Sequence, residues 1–259
     1  MSLEYNLNFI KDKSKKSTIK KAISILERAF YSRSELSSFF LDPYEREVIE
    51  SIAKKNNIDL TFIGGHSEAE RKIFVANYYY LPLNLHDYIE ILSFNCKDIK
   101  HPDVLGALIS LGLDRESIGD ISVLDGKVEF ALLASEANFV KYNLSKIKNE
   151  SIDIHIKEDG RLLLKESEFS SSSGFVSSLR LDNIISQILN CSRSRAKVLI
   201  TGRMVKVDHQ IIVDPSYQVS EASLISVRKE GRFIFDEVTG LSKKGNYHIV
   251  YRKLLWYIF

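Results

Sequence analysis

Cysteine is scarce. Cys96 and Cys191 are the only two, and neither has a Cys or His neighbour at ligand spacing, so neither a disulfide framework nor a zinc site is indicated. Buried free thiols in a reducing compartment are expected instead. Long apolar runs are missing too. No window reaches the ~20 residues needed to span a bilayer, and Met1 to Lys21 alternates short apolar and lysine-rich pieces where a leader would have an apolar core. The expectation is a cytoplasmic protein without a membrane partner. Net charge is nearly absent, at 36 Lys and Arg against 34 Asp and Glu. A chain of 259 residues, 44% hydrophobic and 27% charged, is an ordinary soluble composition with room for about two domains.

The near-zero total hides segregation. Residues 1–30 carry seven Lys/Arg and three acids, residues 31–179 sixteen and twenty-four, and residues 180–259 thirteen and seven. A basic module joined to an acidic body suggests a polyanion-binding domain, because clustered cations release condensed counterions when they meet phosphates.

Apolar spacing organises the rest. Ile19, Ala22, Ile23, Leu26, Ala29 and Phe30 predict an amphipathic helix over 17–32, and Asp42-Pro43 opens a second one as N-cap and first helical residue. A short strand at 59–63 ends at Gly64-Gly65, and 67–72 reads as a capped helical turn. Between 86 and 156 the order is strand, helix, strand, strand, helix, strand, with Asp125-Gly126 as a hairpin turn, which is the ferredoxin-like arrangement shared by many RNA-binding domains. Its Tyr88, Phe94 and Phe130 could stack on bases or fill the core. The serine-rich stretch 166–178 reads as a linker.

The fold class is therefore α+β: a mainly helical region over 1–82, a ferredoxin-like domain over 83–165, the linker, and a basic module over 179–259. In that module Ser192 caps a helix whose first turn presents Arg193 and Lys197 on one face, about 40° apart. Oriented backbone amides together with guanidinium forks suit phosphate oxygens.

Arg180-Leu181-Asp182, Ser192-Arg193 followed by Ala196, Leu199-Ile200, and Val205 with Val207 resemble the S-four RNA-binding domain. The family's turn glycine falls at Arg203, with Gly202 one place early, and its usual Asn-Gly is Asp208-His209 here, so a shifted turn is expected. Further motifs narrow the resemblance: Phe40-Leu41-Asp42-Pro43, Gly64-Gly65 with Glu68-Ala69-Glu70-Arg71, His101-Pro102-Asp103, Arg115-Glu116 with Gly119-Asp120-Ile121, and Gly231-Arg232-Phe233. The chain is similar to the YlmH-like family of bacterial RNA-binding proteins. That resemblance implies association with the ribosome, through ribosomal RNA or tRNA; no Ser/His/Asp set, phosphate loop, metal cluster or nucleophile motif is recognisable, so a non-enzymatic protein without cofactor or metal is expected. The resemblance also implies kinship to factors acting on stalled large subunits, and a link to cell division.

The RNA-binding residues so expected are Arg180, Ser192, Arg193, Ser194, Arg195, Lys197, Arg203, Lys206, Arg228, Lys229, Arg232, Lys243 and Lys244. Asp182 is expected to cap its helix. An RNA-modifying enzyme of pseudouridine-synthase type is the alternative, although only ~30 residues remain beyond Val227 for a catalytic domain. A cell-division adaptor using the acidic body to bind a protein partner is a third reading.

Overall fold

The structure, a computed structural model, describes residues 3–77, 82–163 and 168–255. It divides into two compact units that meet in sequence near residue 165.

The first unit begins with two helices whose caps are written in the sequence. Asp12 accepts the Ser14 amide at the start of α1 (Lys13–Ser32). After the short strand β1 (Leu36–Ser37), Asp42 and Glu45 form a reciprocal capping box on α2 (Pro43–Lys55). Strands β2 (Thr61–Ile63) and β3 (Ile73–Ala76) complete a small antiparallel sheet with β1. The helical turn expected at 67–72 is absent. His66 Nδ1 takes the Glu68 amide, and the chain crosses to β3 as an irregular turn.

The ferredoxin-like core follows as β4 (Ile89–Asn95), α3 (His101–Ser110), β5 (Ile118–Leu124), β6 (Lys127–Leu133), α4 (Ala134–Asn143), the two-stranded ladder β7 (Lys146–Ile147) and β8 (Glu150–Ser151), and β9 (His155–Ile156). Its sheet order is β5-β6-β4-β9, antiparallel throughout. Asp125 and Gly126 both take positive φ in the β5–β6 turn, as a two-residue hairpin requires.

Both faces of this sheet are covered. On one, Phe94 and Phe130 meet edge-to-face at 6.4 Å and pack with Val104 and Leu108 of α3 and Val140 of α4. On the other, Ile89, Ile91 and Ala131 lie against Phe40, Ile73 and Val75. A Cβ at Gly119 would stand 2.7 Å from the Phe40 ring, so that close approach depends on glycine. Of the two roles open to the strand aromatics, Phe94 and Phe130 take the core one, and the Tyr88 hydroxyl donates to Glu35. Burial and that carboxylate push the Tyr88 pKa up to about 12.

Several family-motif residues turn out to weld the N-terminal region to this sheet. Asp120 is buried and accepts the amides of Glu70 (2.6 Å) and Arg71 (3.0 Å). Arg71 donates to the carbonyls of Phe40 (2.8 Å) and Ile118 (3.0 Å). Burial pushes Asp120 up and Arg115 down to about 10. Asp103 accepts the Lys100 amide and Lys148 Nζ at the start of α3.

The second unit contains β10 (Phe169–Val176), α5 (Leu181–Ile188), α6 (Arg193–Thr201), β11 (Val205–Val207), β12 (Gln210–Ile211), β13 (Ser223–Val227), β14 (Gly231–Leu241) and β15 (Tyr247–Leu254). They form one antiparallel sheet in the order β10-β15-β14-β13-β11-β12. Ile184, Ile185, Ala196 and Ile200 of the helices pack on Val205, Ile225, Phe233 and Ile249. The expected linker is corrected here: residues 169–176 are an eight-residue strand in full register with β15, from Phe169 opposite Leu254 to Val176 opposite Tyr247. Serine buries little, yet a partner strand satisfies its backbone regardless of side chain. Cys96 and Cys191 are free but only half-buried, not buried as expected. Among the described residues no helix is long and apolar enough to cross a membrane.

Candidate nucleic-acid interface

The two helices of the second unit are joined through one buried carboxylate. Asp182 is fully buried in the first turn of α5, where Arg180 Nε (3.1 Å) and Nη2 (3.2 Å) and Arg193 Nη2 (3.0 Å) converge on it. Burial acts to raise its pKa, but the hydrogen bonds from the two arginines outweigh that and hold it below the usual aspartate value. Asp182 is therefore not the helix cap that was expected. Arg180 occupies the N-cap position without a side-chain capping bond, and Asp182 fastens α6 to α5.

Ser192 caps α6 by accepting the Arg195 amide at 3.2 Å. The exposed side of α6 carries Ser194, Lys197, Val198 and Thr201, with Ala196 and Ile200 turned into the core. Arg193, half occupied by Asp182, sits at one border of that face. Arg195 sits at the other and donates Nη2 to Glu230 Oε1 at 2.9 Å.

Strand pairing brings two distant stretches of sequence together. Val205 of β11 lies opposite Val227 of β13, and the Arg228 amide donates to the Met204 carbonyl at 2.9 Å. Arg203, at the end of α6, and Arg228 with Lys229, in the β13–β14 turn, therefore share one end of the sheet. Among the described residues the side chains of Lys197, Arg203, Arg228 and Lys229 carry no acidic partner, and all four are exposed. Lys206 lies opposite Ser226, and Ser226 opposite Arg232, so these cations line the sheet face away from the helices.

Lys243 and Lys244 do not join this cluster. They occupy the β14–β15 turn, at the opposite end of the eleven-residue β14 from Arg228, roughly 35 Å of strand away.

The turn is not shifted, contrary to expectation. Gly202 keeps a negative φ of −76° as C-cap of α6, and Arg203 itself takes the left-handed conformation at 60°. Asp208 and His209 likewise hold φ of 47° and 65° in the β11–β12 turn. Asp208 Oδ1 accepts the Leu224 amide at 2.8 Å, a structural role. The sequence reading missed Glu230 as the partner of Arg195, and missed β10, β14 and β15 as strands; serine content and the absence of a strong strand pattern concealed the first of these.

The family model described as "Putative RNA-binding domain in YlmH" matches residues 92–159, the ferredoxin-like core. The S4 domain model matches 179–225, from α5 into β13. The chain is 28% identical over 220 residues to the ribosome-associated protein quality control protein P2 of Bacillus subtilis, covering 83% of this chain and 85% of that one. Among solved structures, the cell division protein ylmH from Streptococcus pneumoniae superposes with a TM-score of 0.52 at 14% identity, over 60% of this chain and 96% of that one, which speaks to the fold. Both domain models match in this order, so the chain carries a YlmH-type putative RNA-binding domain followed by an S4 domain and is similar over most of its length to a ribosome-associated protein.

Proposed function

We propose that this chain is a non-enzymatic, cytoplasmic protein that docks on ribosomal RNA or tRNA of the large ribosomal subunit and serves quality control of stalled translation. The observation that carries the reading is a set of exposed cations without acidic partners among the described residues: Lys197 on the outer side of α6, and Arg203, Arg228 and Lys229 where that helix ends and β13 turns into β14. Such a cluster fits phosphate rails, and it lies in and directly beside the segment matched by the S4 model. The ribosome association of the Bacillus subtilis relative supports the same partner class.

The test is co-sedimentation of the full chain with large subunits and with tRNA across a salt series. If about five phosphates are neutralised, log affinity falls with log salt at a slope of roughly −3.5 to −4.5. Replacing Lys197 and Arg203 with Ala should flatten it by roughly 1.4 to 1.8. An unchanged slope removes α6 from the interface. Comparing modified nucleosides of ribosomal RNA and tRNA with and without the protein tests the non-enzymatic part; a lost nucleoside overturns it.

A further inference from the structure

The S4 match ends at residue 225, within β13, and leaves β10, β14 and β15 unassigned. One face of the six-stranded sheet packs on α5 and α6; the other is exposed or half-exposed. On that open face β10 sets two phenyl rings, Phe169 at 39% and Phe175 at 55% exposure, six residues and so roughly 20 Å apart on the same side of the strand. Each ring is braced by β15. The Arg252 guanidinium lies over Phe169 at 4.8 Å, and His248 tilts against Phe175 at 4.7 Å and 41°. Asp236 in turn fixes Arg252 through bonds of 2.6 to 3.0 Å. Farther across the same face, the strand register carries Lys206 and Arg232.

We propose that this face is a stacking platform for unpaired RNA bases, with Phe169 and Phe175 taking bases and the Lys206–Arg232 row attracting the backbone. It rests on the reading above only for RNA as the partner class, and adds a second site and a single-stranded ligand. A protein partner is disfavoured by the layout. Energetic anchors of protein interfaces cluster at one desolvated centre, whereas these rings stand apart with exposed serines between them. Braced aromatics alternating with polar groups, in a module of thirteen Lys/Arg against seven acids, match what single-stranded nucleic acid requires.

The experiment compares a labelled dodecamer of oligouridylate, whose bases are free, with a blunt RNA duplex, whose bases are not. The F169L/F175L variant keeps two apolar strand residues and removes both π faces; its unfolding midpoint checks the fold. Oligouridylate affinity should fall about tenfold or more, with duplex affinity and the salt slopes unchanged. In Phe175→Trp, oligouridylate should quench fluorescence beyond the parent's response. Equal oligouridylate affinity in parent and double variant overturns the platform. So does an equal loss on both RNAs, or a change of sedimentation mass that reveals the face as a contact between copies. A parent that binds duplex but not oligouridylate sinks the platform and leaves the α6 reading standing; binding to neither sinks both.

Discussion

The two large sheets of this molecule reach opposite outcomes from similar beginnings. The four-stranded sheet has the topology of RNA-recognition domains, yet Phe40, Ile73 and Val75 cover the face such domains leave open, and α3 and α4 cover the other. The six-stranded sheet has helices on one face only. Topology alone therefore does not identify a binding surface; what covers each face does. The strands of the central domain therefore offer no open face, and the aromatic rings that α4 leaves exposed, Phe139 and Tyr142, lie outside the sheet.

The sharpest way to break this contrast is to uncover the first sheet. Phe40 is fully buried against Gly119, so Phe40→Ala should destabilise the first unit by about 3–5 kcal/mol, through lost transfer energy and the cavity left behind. Hydrogen exchange of β4 and β6 should accelerate while β13 and β14 keep their protection. Gain of RNA affinity by that variant would show that the covered face is a binding surface held in reserve, and the contrast between the two sheets would fall.

A smaller effect is expected at Asp182. Losing a buried carboxylate that accepts from two arginines should cost about 2–3 kcal/mol in the second unit. Because its folded-state pKa is depressed, its stabilisation is fully present above the ordinary aspartate value of about 3.9 and disappears as pH falls through the lowered one. Asp182→Asn should therefore flatten the acid limb of the second unit's stability profile, read by denaturation at stepped pH. An unaltered limb would mean the arginines do not engage a charged partner.

Much of this was legible in the chain because it is local. Asp42-Pro43 with Glu45, Ser192 before Arg193, and Asp125-Gly126 announce caps and a turn through spacings of one to three residues. The succession of strands and helices in the central domain was likewise readable along the chain, as strand, helix, strand, strand, helix, strand. What stayed hidden depends on distant partners. Phe94 and Phe130 face the helices and not the side covered by Phe40, Ile73 and Val75, which period-two alternation cannot decide by itself. Arg193 was expected to grip phosphate, and only the fold reveals that Asp182 holds one of its nitrogens. Strand β10 is serine-rich and pairs with residues about 80 positions later, so nothing nearby marks it as a strand.

The smallest effect separates folding from binding at one residue. Arg203 takes φ 60°, a conformation that costs an L-residue roughly 1–2 kcal/mol and glycine little. Arg203→Gly should relieve that strain, while glycine's freer unfolded backbone costs about 0.4–1 kcal/mol, for a net gain of roughly 0 to 1.6 kcal/mol. The same change deletes a cation from the α6 cluster, so the salt slope should flatten by roughly 0.7 to 0.9. Arg203→Lys should keep the slope and gain no stability. Stability and affinity moving in opposite directions would show that arginine occupies a glycine position for the sake of its charge; a glycine variant that binds as the parent does would leave the strain without a function and take Arg203 out of the interface.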